Sequence, residues 1–166
     1  MTKSILTQEE LKSKLHYNPD NGIFTRIQST QSIRAGDIAG SKSNQGYLQI
    51  RINCKQYQAH RLAWLYVYGE MPNGMIDHIN GVKDDNRIKN LRESTSQQNQ
   101  FNTGSYKNNK SGYKGVSFHK SSNKWSAKAT LNGKGKHLGL FTTPELASQA
   151  YKVFATKHHA EFYRAA

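Results

Sequence analysis

A single cysteine, Cys54, stands among 166 residues. One thiol excludes an internal disulfide and a Cys-x-x-Cys zinc knuckle, so the chain reads as cytosolic, any metal is expected on oxygen and nitrogen ligands, and no zinc is expected. Long apolar runs are missing too. None approaches the roughly 20 residues that span a bilayer, and no basic-then-apolar signal pattern opens the chain. Acid is scarce: 11 Asp and Glu face 24 Lys and Arg, a formal charge of +13. That imbalance says nothing about fold, but it favours a polyanionic partner, nucleic acid before an acidic membrane face. Apolar residues make up 35% of the chain and thirteen glycines punctuate them, which points to small cores joined by generous turns. Disorder is not the reading, because nine Tyr, six Phe and two Trp are spread along the whole length.

Local signals divide the N-terminal two-thirds into short elements. Thr7 and Glu10 have capping-box spacing and Leu6 and Leu11 that of a hydrophobic staple, which predicts a helix over 7–16. Residues 17–22 are a dense turn signal, 23–27 a strand, and the polar stretch 29–44 a loop. Leu48, Ile50 and Ile52 alternate with Gln49, Arg51 and Asn53 as in a half-buried strand, and a second short strand follows the turn at 53–55. Residues 60–68 form an apolar helix stopped by Gly69, with His60 at its head as a hydrogen-bonded packing residue. A strand over 75–78, a turn at Asn80-Gly81, a segment over 84–89 too polar for a core element, and a strand over 91–93 come next. Ser94 or Thr95 then N-caps a helix carrying Gln98, Asn99 and Asn102.

Residues 104–111 have linker composition, and the pattern changes after them. Val116 and Phe118 alternate with Ser117 and His119. Trp125, Ala127, Ala129 and Leu131 alternate with Lys124, Ser126, Lys128 and Thr130, which puts Trp125 on the core face. Asn132-Gly133 is a hairpin turn, and 136–141 makes a third strand. Thr143-Pro144-Glu145 starts a helix whose apolar stripe is Leu146, Ala150, Val153 and Phe154.

The chemistry lies between Asp77 and Asn99. His78 comes twelve residues before Asn90, and Asn90 nine before Asn99. A carboxylate, an imidazole and an amide oxygen at those intervals can meet at one divalent cation beside a phosphodiester. Asp77 and Asn99 offer oxygen ligands to a Mg²⁺-class ion, leaving about four octahedral places for water and nucleic acid. His78 can take a proton from water at neutral pH, and the Asn90 amide can hold the loop so that the imidazole is aimed. A regular strand would point Asp77 and His78 to opposite sides, so one shared site requires a bend at this pair.

His60-Arg61-Leu62-Ala63-Trp64, Asp77-His78-Ile-Asn-Gly, Asp85-Asn86-Arg87, Asn90-Leu91-Arg92-Glu93 and Asn99 together resemble the phage HNH homing endonucleases, a ββα-metal nuclease fold. The resemblance implies a metal-dependent DNA endonuclease that nicks or cuts both strands. In that family the His of the Asp-His pair is the general base and the Asp before it binds the metal. The Asn of the Asn-Leu pair supports the base, and an Asn on the following helix completes the metal ligands. Those roles fall on His78, Asp77, Asn90 and Asn99, with Mg²⁺ or Mn²⁺ as the single ion. Asn102, one turn on, ranks below Asn99. Arg61, Arg87 and Arg92 are phosphate contacts or structural partners.

Gly112-Tyr-Lys-Gly-Val116, Lys124-Trp125-Ser-Ala127, Leu138-Gly139-Leu-Phe141 and Ala147-Ser-Gln-Ala150-Tyr151 resemble the DNA-binding domain of plant Apetala/ethylene-response factors. That family lays its sheet in the major groove, and the matching positions here are Lys114, Ser117, His119, Lys124, Lys128 and His137. Lys, Ser or His stands where plant members carry Arg. Bidentate Arg–guanine contacts, worth roughly 1–3 kcal/mol of discrimination each, are therefore fewer, and phosphate contacts carry more of the affinity. Lys107 and Lys110 extend the basic track through the linker. The expected fold class is α+β: an HNH module with its N-terminal extension over 1–103, a linker over 104–111, and a three-stranded antiparallel sheet packed on one helix over 112–166. The expected partner is double-stranded DNA in the cytoplasm, the host's if the chain is phage-encoded, with no membrane partner. The oligomeric state is open, a monomer being the working expectation. Two rivals stay open: a non-catalytic DNA-binding regulator on a degenerate nuclease fold, and an RNA-binding protein or RNase.

Overall fold

Short elements with small apolar contributions follow one another, and among the described residues no strand exceeds eight residues. A computed structural model describes residues 6–104, 109–159 and 162–163. It packs them as two units, Met1–Ser94 and Thr95–Ala166, of α+β character with antiparallel sheets throughout. None of the described helices is long and apolar enough to cross a membrane.

In the first unit Thr7 caps helix α1 (Gln8–Lys14), its hydroxyl accepting from the Glu10 N–H. The helix ends two residues short of the predicted 7–16, because Leu15 turns extended and opens strand β1 (Leu15–Asn18). Strand pairing with β2 (Ile23–Arg26) buries Leu15 and Tyr17 beside Phe24, a tertiary gain that outweighs local helix preference. Tyr17 thus belongs to a strand, not to the turn expected at 17–22. The predicted loop over 29–44 holds one further short strand, β3 (Ser41–Lys42), which pairs with β4 (Leu48–Ile52). β4 in turn pairs with β5 (Lys55–Gln58).

Helix α2 (Ala59–Tyr68) buries Ala59, His60, Leu62, Ala63 and Leu65 and stops at Gly69, whose φ of +86° favours glycine. Strand β6 (Met75–His78) then pairs with β7 (Leu91–Ser94) in the order Asp77↔Arg92, His78↔Leu91. One core joins Leu11, Leu15, Phe24, Ile50, Leu62, Ile76 and Leu91, so the β6–β7 ladder is fixed to the N-terminal elements by apolar burial.

The second unit begins with helix α3 (Ser96–Asn102), closed by a capping box between Thr95 and Gln98. Phe101 stacks on His159 with ring centroids 3.6 Å apart. Strands β8 (Val116–His119), β9 (Lys124–Leu131) and β10 (Lys134–Phe141) form one antiparallel sheet in the order β10-β9-β8. Helix α4 (Pro144–His159) covers one face of it. The buried side of α4 is Ala147, Ser148, Tyr151, Ala155 and His159. This corrects the expected stripe: Leu146 and Val153 are exposed, Ala150 and Phe154 only partly buried. Ala127 and Ala129 of β9 face the helix, and such close approach accepts small side chains where the sequence pattern selected large ones. Trp125 is half-buried against Val116 and Ala127.

Candidate active site

The segment between β6 and β7 is rich in Asp, Asn and Gly and has no apolar periodicity, so polar bonds must hold it. Asn90 is central to them. Its Oδ1 accepts from the Asn80 N–H at 3.0 Å, its Nδ2 donates to the Asp85 carbonyl at 2.8 Å, and its own carbonyl accepts from the Ile79 N–H at 2.9 Å. One buried amide therefore pins both ends of the loop. Asn80 reinforces it by donating to Asp85 Oδ2 at 2.6 Å. Arg87 grips the same carboxylate through two nitrogens. Those bonds from Arg87, with Asn80's behind them, hold the Asp85 carboxyl down at about 2.

Asp77 and His78 end β6 and are both buried. The ladder runs through the pair without the register shift that a bend would bring. Asp77 pairs with Arg92, directly across the ladder; Nε and Nη2 both reach Oδ2, at 2.9 and 2.7 Å. His78 lies among rings. His60 meets it edge-on with centroids 5.1 Å apart, and Tyr47 lies 5.9 Å away. Its Nε2 is 3.3 Å from Oδ1 of Asn86. Burial pushes the imidazole below the ordinary histidine value of 6.5, against the upward pull of the Asn86 bond and of Asp77, Asp85 and Asp84. Asp77 and His78 thus share an electrostatic environment while their side chains take different partners. A neutral imidazole at neutral pH is the form that accepts a proton.

His60 is a packing residue, but the expected hydrogen bonding is incomplete: its Nδ1 is buried with no partner among the described residues. Burial first, then His78 and Arg61, lower it to about 3. Asn86, 1% exposed, is a site residue that the sequence places in the Asp85-Asn86-Arg87 motif without giving it a role. It falls in the 84–89 stretch, which is too polar for a core element, and its signals are that motif and an amide flanked by charged residues on both sides.

The three arginines named as phosphate contacts or structural partners all engage protein groups. Arg61 donates to the carbonyls of Pro72 and Gly74, each at 2.9 Å, and Arg87 and Arg92 pair with Asp85 and Asp77. Asn99 is on α3 in the second unit, partly exposed, while Asn102 on the same helix is buried. Lys114 donates to the carbonyls of Phe101 and Thr103 at the end of α3. Ser117, His119, Lys124, Lys128 and His137 are exposed, and the pairings His119↔Lys124 and Lys128↔His137 put four of them on one sheet face. Alternation along β8 adds Ser117 to that face. Lys110 is exposed, and Lys107 lies outside the described residues.

Residues 57–101, from β5 into α3, match the family described as HNH endonuclease. The chain is 30% identical over 113 residues to Protein 3.8 of Escherichia phage T7, covering 66% of this chain and 91% of that protein. The chain carries an HNH endonuclease domain over residues 57–101. It is also 35% identical over 107 residues to a protein of Acanthamoeba polyphaga mimivirus named as an uncharacterized HNH endonuclease. That match covers 63% of this chain and about half, 54%, of the viral protein. No solved structure matches the chain. The matched segment holds Asp77, His78, Asn86, Asn90 and Asn99.

HNH nucleases generally use a divalent metal, and the donors present are of the type a hard ion accepts: one carboxylate, amide oxygens and imidazole. Among the described residues no three His, Cys, Asp or Glu side chains gather into a metal-sized cluster. An ion taken here would therefore draw most of its coordination from water and substrate oxygens.

Proposed function

We propose that this protein is a metal-dependent DNA endonuclease acting in phage DNA processing, homing included, with His78 as the general base. The observation that carries the reading is a buried imidazole, lowered in basicity and beside a buried aspartate paired with a part-buried arginine, within the segment that matches the HNH endonuclease family. His78 takes a proton from water as the oxygen bonds to phosphorus, and the bond from phosphorus to the 3′-oxygen breaks, the 3′-oxygen leaving as a hydroxyl with a proton taken from solvent water. The proton then passes from the imidazolium to solvent. Asp77 and Asn99 would hold one Mg²⁺ or Mn²⁺, which supplies Lewis-acid neutralisation of phosphate and leaving-group charge. Asn90 keeps the loop closed around the base. The exposed face carrying Ser117, His119, Lys124, Lys128 and His137 would follow the DNA as an Apetala-like sheet, with Lys110 and Lys107 extending the basic track and Lys114 anchoring it. The charge of +13 supports a polyanion there.

Nicking of supercoiled plasmid with Mg²⁺ or Mn²⁺ tests the reading. Cleavage should vanish in His78→Ala and in excess chelator, and persistence in either overturns the mechanism. One observation favours a second reading, a DNA-binding regulator on a nuclease fold: Arg92 already satisfies the Asp77 carboxylate. Plasmid binding without cleavage across divalent ions would support that alternative, and competition between RNA and duplex DNA separates both from an RNA-directed role.

A further inference from the structure

We propose that Asn86 is a positioning residue that holds His78 as the Nε2–H tautomer and so places the proton-accepting lone pair on Nδ1; this rests on the reading of His78 as the base. Asn86 lies between Asp85 and Arg87, yet its side chain turns inward and is 1% exposed. Burying an amide is costly unless both of its ends are bonded. Here each end has a partner, and the partners decide the chemistry. Nδ2 lies 3.3 Å from the Asp84 carbonyl oxygen. A carbonyl oxygen only accepts, so the amide atom facing it must be the nitrogen. The other end, Oδ1, then faces His78 Nε2 at 3.3 Å. An amide oxygen also only accepts, so Nε2 must carry the hydrogen. In a neutral imidazole that leaves the lone pair on Nδ1.

The backbone of Asn86 is held just as firmly, from far upstream. The Tyr17 hydroxyl donates to its carbonyl at 2.6 Å in a buried bond, and burial pushes the phenol well above its usual value, so it remains a donor. Gly22, at φ +75°, backs directly onto this position: a Cβ there would stand 2.6 Å from the Asn86 carbonyl carbon and 2.5 Å from the Arg87 nitrogen. Tyr17 and Gly22 both precede the segment that matches the family. The N-terminal extension therefore acts on the base through Asn86, in a division of labour with Asn90, which closes the loop ends.

Long-range ¹H–¹⁵N spectra of His78 in the metal-free, DNA-free protein near pH 8, where the ring is neutral, read the tautomer directly. The wild type should carry the proton on Nε2, and Asn86→Ala should shift it to a mixture of both forms. Nicking by Asn86→Ala should fall by roughly 10- to 100-fold, the range for removing a partner that orients a working group. Should Asn86→Ala fail to fold, Tyr17→Phe removes the bond that holds the Asn86 carbonyl, loosens the side chain's seating and should give a partial mixture. A wild-type ring protonated on Nδ1, or a tautomer unmoved in the folded variants, overturns the proposal. A tautomer that shifts as expected in a protein that never cleaves DNA would sustain Asn86's role and overturn the nuclease reading instead.

Discussion

Lowering the pH from about 7.5 to about 5 should remove about 2 kcal/mol of stability from the first unit through His60 alone. This side chain is 8% exposed at the head of α2, its Nδ1 has no hydrogen-bond partner among the described residues, and a second imidazole meets it edge-on. A proton added there would be buried, unpaired and close to His78 and Arg61, which is why the folded value falls from 6.5 to about 3. Because the folded value is the lower one, the unfolded chain takes up the proton first as the pH drops. Stability is whole above about 6.5, is lost through the window down to about 3, and falls no further below it. At pH 5 the gap to the unfolded value is about 1.5 units, or about 2 kcal/mol at 1.36 per unit. That is a large share of the roughly 5–15 kcal/mol that holds a domain together. Asp85, held at about 2, titrates below this window. Urea unfolding followed by Trp64 fluorescence in a Trp125→Phe background measures the effect at both pH values. His60→Phe keeps a ring in place without a titrating group. The wild type should lose about 2 kcal/mol more than this variant over the interval. Equal losses in the two proteins would refute the argument that His60 is buried neutral.

Arg92→Ala takes the cross-strand guanidinium away from the buried Asp77 carboxylate and should cost about 3–5 kcal/mol, measured by urea unfolding. Gly115→Ala should destabilise the second unit by at least about 2 kcal/mol, read as a lowered melting temperature. A Cβ there would stand 2.3 Å from the Tyr151 ring and 2.7 Å from the Lys128 carbonyl, at a φ of +73°. The nicking rate should stay flat down to about pH 6.5 and fall only in more acid solution, because His78 must be neutral to accept a proton and burial lowers its value. A decline that begins above pH 7, traced in a pH–rate profile, would remove His78 as the base.

What could be read from the sequence was whatever carries its own local signal. The Asn132-Gly133 turn, the Thr95–Gln98 capping box and the strand ending in Asp77-His78 each declare themselves within a few residues. The misreadings share a different cause. Leu146, Ala150, Val153 and Phe154 have helical spacing and the right hydrophobicity. The buried face is one step round the helix, because contact with Ala127 and Ala129 selects for small size, which hydrophobic patterning does not register. Leu15 continues a good helical run, and only the distant β2 makes the extended form preferable. Asn86 is the sharpest case. Within Asp84-Asp85-Asn86-Arg87 nothing local marks which side chain turns inward, since the contacts that decide it come from Tyr17 and Gly22, more than sixty residues earlier.

That dependence bears on how much of the chain sets the geometry around His78. The family match begins at residue 57, and the segment after it already contains Asp77, His78 and Asn90. The loop between β6 and β7 is nonetheless braced from before that point. Tyr17 holds the Asn86 carbonyl, Lys42 pairs with Asp84 at 2.6 Å, and Lys83 donates to the Gln45 carbonyl at 2.9 Å. The exposed Lys42 pair contributes little by itself, so the brace depends chiefly on the buried Tyr17 bond and the close approach of Gly22. Asn90 can close the loop from within, but its two bonds end on Asn80 and Asp85 and leave the orientation of Asn86 to be set from outside. A fragment cut to the family segment would keep His78 and the amide that closes the loop, while losing the contacts that aim the second amide at the imidazole. The contacts that fix the orientation of Asn86 therefore reach back at least to β1.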